Sequence, residues 1–131
     1  MNSISEISIL VVEDDAALLK IMTTMLLRKG FIVHEASDGH LATFVLAKHK
    51  VDLVLSDVQM PVMDGLELLE KIRAANPALP VVLFVTGQAD VDEQDCIQLG
   101  ASGLLRKPVR SAALFAEIEK LLGTLNGKQP A

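Results

Sequence analysis

At 131 residues, half of them hydrophobic and with a mean hydropathy of +0.40, the chain has the length of one packed domain rather than two. A net charge of −5 argues against the basic face that nucleic-acid phosphates require, so no direct nucleic-acid binding by this domain is expected. One cysteine, Cys96, excludes an intrachain disulfide and a cysteine metal cluster and suits a reducing, cytoplasmic compartment.

No membrane contact is expected either. The longest apolar runs, such as Val81 to Val85, fall far below the ~18 residues of a membrane span. The first residues lack the basic-then-apolar pattern of a signal peptide.

Ile7 to Val12 is a short run rich in Ile and Val and predicts a strand ending in Glu13, Asp14 and Asp15. A helical stripe follows at Leu18, Ile21, Met22, Met25 and Leu26, with Arg28 and Lys29 suited to its last turn and Gly30 to its end. Asp15 reads as the helix cap; Glu13 and Asp14, still on the strand end, are poorly explained that way. Phe31 to Ala36 predicts the second strand, and Asp38 can cap a helix carrying Leu41, Val45 and Leu46.

Val51 to Gly65, VDLVLSDVQMPVMDG, follows. Its apolar run is too short for a helix and reads as a strand buried on both faces, ending in Asp57. A carboxylate there is costly unless something holds it. Leu66, Leu69 and Ile72 mark a helix that should stop before Pro77. Pro80 opens a fourth strand, Val81 to Val85, followed by Thr86 and Gly87. Ala89 to Leu99 is an acidic helix with a thin apolar side of Val91, Cys96 and Ile97. Gly103 to Arg106 is a short fifth strand, followed by Lys107 and Pro108. Ser111 can cap a last helix with Leu114, Ile118, Leu121 and Leu122, closed by Gly123. The core is expected over about 7–123, with 124–131 as a tail or the start of a linker.

Strands alternating with helices imply an α/β fold: three layers, with a doubly wound, five-stranded, mainly parallel sheet and right-handed crossovers. In such sheets chemistry sits at the carboxyl ends of the strands. Glu13, Asp14, Asp57, Thr86 and Lys107 all map to that edge.

If the first and third strands are neighbours, three carboxylates converge. Two carboxylates about 4 Å apart repel by roughly 4 kcal/mol at an effective dielectric of 20, so a cation is required. The donors are all oxygens, which implies a hard ion, most simply Mg2+. His34, His40 and His49 have no ligand spacing and read as structural or exposed. Mg2+ held by a few carboxylates keeps positions open for phosphate oxygens. Lys107 then reads as a point charge and Thr86 as a donor to a phosphoryl group, with Asp57 as a nucleophile forming an acyl phosphate.

The segments VVEDD, SDVQMPVMDG, VTG and RKP resemble, in this order, the receiver domain of two-component response regulators. The resemblance covers Ile7 to about Leu122. It implies a single receiver domain with the flavodoxin-like strand order 2-1-3-4-5. It implies Asp57 as phosphoacceptor and Asp14 and Asp57 as direct ligands of Mg2+, with Mn2+ able to take its place. Glu13 would act on the metal through water, and the backbone carbonyl of Gln59 would complete the site. Thr86 and Lys107 would contact the phosphoryl group, and the Lys107–Pro108 peptide would be cis. The implied donor is a histidine kinase or a histidine phosphotransfer protein. The implied output is a downstream domain or protein, reached through the surface of helix four, strand five and helix five, which could also carry a homodimer. The chain would be either a stand-alone regulator or a receiver from a larger protein.

Leu104 stands where receivers often place a Tyr or Phe that swings as the threonine moves, so the signal is expected to travel by packing. Gln59 and Gln88 occupy positions that in this family influence phosphoryl lifetime. Neither is a general base, which predicts slow self-dephosphorylation. Three rivals are weaker. A flavodoxin-type electron carrier needs a Ser/Thr-rich phosphate loop where this chain has Glu13-Asp14-Asp15-Ala16. A phosphatase or mutase with an aspartyl nucleophile typically places a second Asp where Gln59 stands. A pseudo-receiver should lack one of the acids, the threonine or the lysine, and none is missing.

Overall fold

A computed structural model describes residues 6–125. In chain order the elements are β1 (Ser8–Val12), α1 (Ala16–Lys29), β2 (Ile32–Ala36), α2 (Gly39–Lys48) and β3 (Leu53–Asp57), then α3 (Gly65–Ala75), β4 (Val81–Thr86), α4 (Glu93–Gln98), β5 (Gly103–Arg106) and α5 (Ser111–Leu125). The sheet is parallel throughout, in the order β2-β1-β3-β4-β5. This is the five-stranded doubly wound arrangement expected from the alternation of elements.

The three layers follow from period-2 alternation along the strands. Ile9, Val11, Leu53, Leu55, Leu83 and Val85 face one side, where Met22 and Leu26 of α1 and Leu114, Ile118 and Leu122 of α5 pack. Leu10, Val12, Val54, Val82 and Phe84 face the other, against Ala42 of α2, Leu68, Leu69 and Ile72 of α3 and Cys96 of α4. Every residue of β1, β3 and β4 is buried. Burying each such Leu, Ile, Val or Phe side chain stabilises the fold by roughly 1.5–3 kcal/mol before conformational entropy is set against it.

Local signals set the helix ends. Asp15 accepts from the Ala17 and Leu18 amides at 3.0 and 3.1 Å and starts α1. Gly30 ends it in the left-handed region at φ 112°. Asp38 caps α2 through the Leu41 amide at 2.8 Å. Asp64 and Glu67 form a reciprocal capping box on α3.

Several expectations need correction. The acidic helix is shorter than its composition suggests: α4 begins at Glu93, because Asp92 accepts from the Gln94 and Asp95 amides and caps it there. Ser111 is the first residue of α5 rather than its cap. α5 also runs through Gly123 to Leu125. A helical glycine costs only about 1 kcal/mol, and among the described residues no neighbour lies within 4 Å of where a side chain at Gly123 would sit. Ile21, Leu41 and Ile97, read as core-facing, are exposed; α2 buries Gly39 and Ala42 instead. His34 and His49 stack at 4.2 Å, and His40 meets the Phe44 ring edge-on. Residues 126–131, most of the expected tail, lie outside the described residues.

Candidate functional site

β1 and β3 are hydrogen-bonded neighbours, which brings their carboxyl ends together. The β1–β2 ladder extends to Glu13, whose N–H donates to the Ala36 carbonyl at 3.1 Å. Carboxylate oxygens of Glu13, Asp14 and Asp57 lie within 4.8 Å of one another. Glu13 is 1% exposed, Asp57 is buried and Asp14 faces solvent. The buried pair is held from β5: Lys107 Nζ donates to Glu13 Oε1 and to Asp57 Oδ2, both at 2.9 Å. Asp15 N–H donates to Glu13 Oε2 at 3.0 Å, and Gln59 N–H to Asp57 Oδ1 at 3.3 Å.

Burial pushes the Glu13 carboxyl above its ordinary value, and the charge of Asp57 adds to this; the Asp15 amide and Lys107 oppose it without winning. For Lys107, burial pulls the ammonium down, but its bonds to Asp57 and Glu13 outweigh that and raise it. With all four groups ionised, three negative charges against one positive leave a net −2, which a divalent cation cancels. The donor set is all oxygen and one member, Asp14, is open to solvent, so it fits a hard ion such as Mg2+. A cleft of about 380 Å3 lined by Asp14, Gln59, Met60, Pro61 and Asp64 adjoins it. A larger groove of about 880 Å3 lies between α2 and α3 at the opposite, amino-terminal end of the strands, far from this chemistry.

The loop from β3 to α3 is built tightly around Asp57. Gly65 N–H donates to the Val58 carbonyl at 2.7 Å. A side chain at Gly65 would place its Cβ 2.3 Å from the Asp57 carbonyl oxygen, so only glycine allows α3 to start there. Met63 N–H donates to the Pro61 carbonyl at 2.7 Å across Val62, whose φ is +69°. This is a classic γ-turn, strained for a β-branched residue. Val62 is nonetheless 79% exposed. The Met63 carbonyl in turn accepts from Gly39 N–H at 3.2 Å, which braces the loop against the start of α2.

Thus Glu13, Asp14, Asp57 and Lys107 come together as the sequence implied, Gln59 lies beside them, and the Lys107–Pro108 peptide is cis. Thr86 does not join them. It is fully buried at the last position of β4, one residue beyond Val85, the register partner of Asp57. Its hydroxyl accepts from Gln88 N–H at 3.0 Å, and no hydrogen bond links it to Asp57 among the described residues. Leu104 is half-buried against the cluster around Phe84, its register partner. Sequence reasoning passed over Arg106, whose guanidinium bonds the Gln88 and Val91 carbonyls. The visible signal was a cation at a strand end directly before Lys107.

Residues 9–119 match the family model described as "Response regulator receiver domain". The chain is similar to the transcriptional regulatory protein GlrR of Escherichia coli K12, 36% identical over 114 residues. That alignment covers 87% of this chain and 26% of GlrR, so the chain spans about a quarter of that regulator's length. It is also similar to a CheY-like receiver domain protein of Methanospirillum hungatei JF-1, at TM-score 0.82 and 29% identity, covering 90% of this chain and 94% of that one. A further similar structure is the CheX-CheY-BeF3-Mg+2 complex from Borrelia burgdorferi, at TM-score 0.83 and 25% identity, covering 89% and 90%.

Proposed function

Because the chain belongs to the response regulator receiver domain family of two-component systems, we propose that Asp57 is its phosphoacceptor, taking a phosphoryl group from a phosphohistidine of a histidine kinase or phosphotransfer protein. The observation that carries this is the buried Asp57 carboxylate, bonded to Lys107 at 2.9 Å within 4.8 Å of the Glu13 and Asp14 oxygens. A carboxylate oxygen of Asp57 attacks phosphorus. The P–O bond forms as the P–N bond to the donor imidazole breaks, and the electron pair stays on that nitrogen.

Asp14, Asp57 and the Gln59 carbonyl would hold Mg2+ directly, and Glu13 through water. The metal would supply positive charge to the oxygens of the transferring group. Lys107, already at Asp57, supplies a second positive charge. The Thr86 hydroxyl accepts from Gln88 and keeps its own hydrogen for a phosphoryl oxygen once the side chain turns toward Asp57. The domain would therefore carry out its own phosphorylation and dephosphorylation without acting on another substrate. With glutamines at positions 59 and 88, no general base activates water, so the acyl phosphate should be lost slowly.

The surface of α4, β5 and α5 is the proposed output face, toward a downstream domain, a separate protein or a second copy. α4 supports this choice: it spans Glu93–Gln98 and Cys96 is its buried residue, and lightly packed elements shift at low cost. In this reading the work is cytoplasmic and on protein partners, which the net charge of −5 and the single cysteine support. The test is incubation with Mg2+ and acetyl phosphate followed by intact mass measurement. Wild type should gain one phosphoryl group and Asp57→Asn none. An adduct on both, or on neither, overturns the assignment.

A further inference from the structure

The β4–α4 loop is held by two strands at once. Thr86 and Arg106 are register partners at the ends of β4 and β5. Thr86 Oγ1 accepts from the Gln88 N–H at 3.0 Å. Arg106 Nη1 donates to the Gln88 carbonyl at 2.7 Å, and its Nη2 donates to the Val91 carbonyl. The backbone of Gln88 is therefore gripped on its N–H by β4 and on its C=O by β5. Val91 stands directly before Asp92, the cap of α4. From the same strand, Leu104 N–H donates to Glu93 Oε2 in the first turn of α4 at 3.3 Å.

A guanidinium suits this role because its planar fork offers two N–H groups to two carbonyls in one geometry. A leucine offers none: the Leu104 side chain can report a displacement only by packing. If Thr86 turns toward an anion on Asp57, its oxygen either carries the Gln88 amide along or releases it. Either event alters the backbone of Gln88, whose carbonyl, in the following peptide group, Arg106 holds. Arg106 is solvent-exposed, so water can replace its bonds when the loop moves, as a reversible element requires.

We infer that Arg106 is a positioning residue that couples Thr86 to α4 through the backbone of Gln88 and Val91, taking the relay that the side chain of Leu104 cannot provide. This rests on the proposal that Asp57 takes the phosphoryl group. The test compares the full chain with Arg106→Met, Arg106→Lys and Leu104→Ala. Intact mass with Mg2+ and acetyl phosphate reads adduct formation; amide chemical shifts over residues 88–98, with and without acetyl phosphate, read the response.

All four proteins should take up the adduct, within about twofold of wild type. Arg106→Met should lose at least two thirds of the shift response over α4. Arg106→Lys, which keeps one donor, should regain part of it, and Leu104→Ala should keep most of it. Without acetyl phosphate, hydrogen exchange at Gln88 N–H should quicken about tenfold in Arg106→Met, independently of any chemistry at Asp57. A wild-type response in Arg106→Met with a normal adduct overturns the relay alone. Unchanged Gln88 exchange overturns the clamp on which it depends. A wild type that takes no adduct overturns the Asp57 reading, and the relay with it.

Discussion

Replacing Lys107 with Met separates two roles of the ammonium, counter-ion and phosphoryl contact. Lys107 lies 2.9 Å from both Glu13 and Asp57. At an effective dielectric of 20 each contact is worth about 6 kcal/mol of gross attraction, most of it offset by the cost of removing the charges from water. Deleting one partner of a buried pair typically costs about 3–5 kcal/mol. The lysine side chain is 23% exposed, so about 2–3 kcal/mol is the expected loss for Lys107→Met without divalent cation. The remaining carboxylates, within 4.8 Å of one another, then repel by about 3.5 kcal/mol per pair at that dielectric.

A divalent cation should repair this. In 10 mM MgCl2 the variant should recover at least half of its loss and bind Mg2+ at least tenfold more tightly than wild type, about 1.4 kcal/mol, because no ammonium repels the ion. The chain has no Trp or Tyr, so urea unfolding is followed by circular dichroism, in EDTA and in MgCl2. Equal losses in both buffers, with unchanged Mg2+ affinity, would refute the view of Lys107 as the internal counter-ion of the acidic cluster.

The other predictions concern the loop and the buried acid. Gly65→Ala forces a Cβ against the Asp57 carbonyl and should cost more than 3 kcal/mol in urea unfolding; a loss under 1 kcal/mol would mean that α3 can begin elsewhere. Val62→Asn relieves a β-branched residue at φ +69° and should stabilise the fold by about 0.5–1 kcal/mol, which a lowered urea midpoint would contradict. The pKa of Glu13 is raised above its ordinary 4.5, so the folded state holds that proton more tightly than the unfolded chain. Its stabilisation is full below pH 4.5 and is lost as pH rises through the raised folded value. Metal-free Glu13→Gln should therefore gain on wild type as pH goes from 4 to 7, and a constant difference in stability across that range would count against the buried, costly carboxylate. Lys107, raised above 10.5, behaves with the same sign, its contribution present below that value and lost only above it.

Much of the site was legible in the sequence because polar residues at the ends of apolar runs need few long-range facts. Glu13, Asp14, Asp57 and Lys107 each stand within two residues of the end of a run of Val, Ile or Leu, and parallel strands put those ends on one edge. The helix caps at Asp15 and Asp38 were likewise local. Less legible was which side of a helix meets the sheet: Ile21 and Leu41 fit an apolar stripe yet face solvent, because packing on neighbouring elements, rather than periodicity, selects the buried face.

The sequence by itself determined the alternation of elements, the edge on which the chemistry gathers and the residue types available there, since these follow from side-chain period and from the cost of burying charge. Only the tertiary structure decided how those groups pair. Lys107 reaches Glu13 across 94 positions of chain and Asp57 across 50, a choice made by the strand order. Thr86 is turned to the Gln88 N–H, and Arg106 closes on the carbonyl of the same residue, because β4 and β5 end in register. The strained turn at Val62 is held by its bond from Met63 to Pro61 and by the brace from Gly39. Bonds between residues distant in sequence depend on where the sheet ends each strand, and composition carries no record of that.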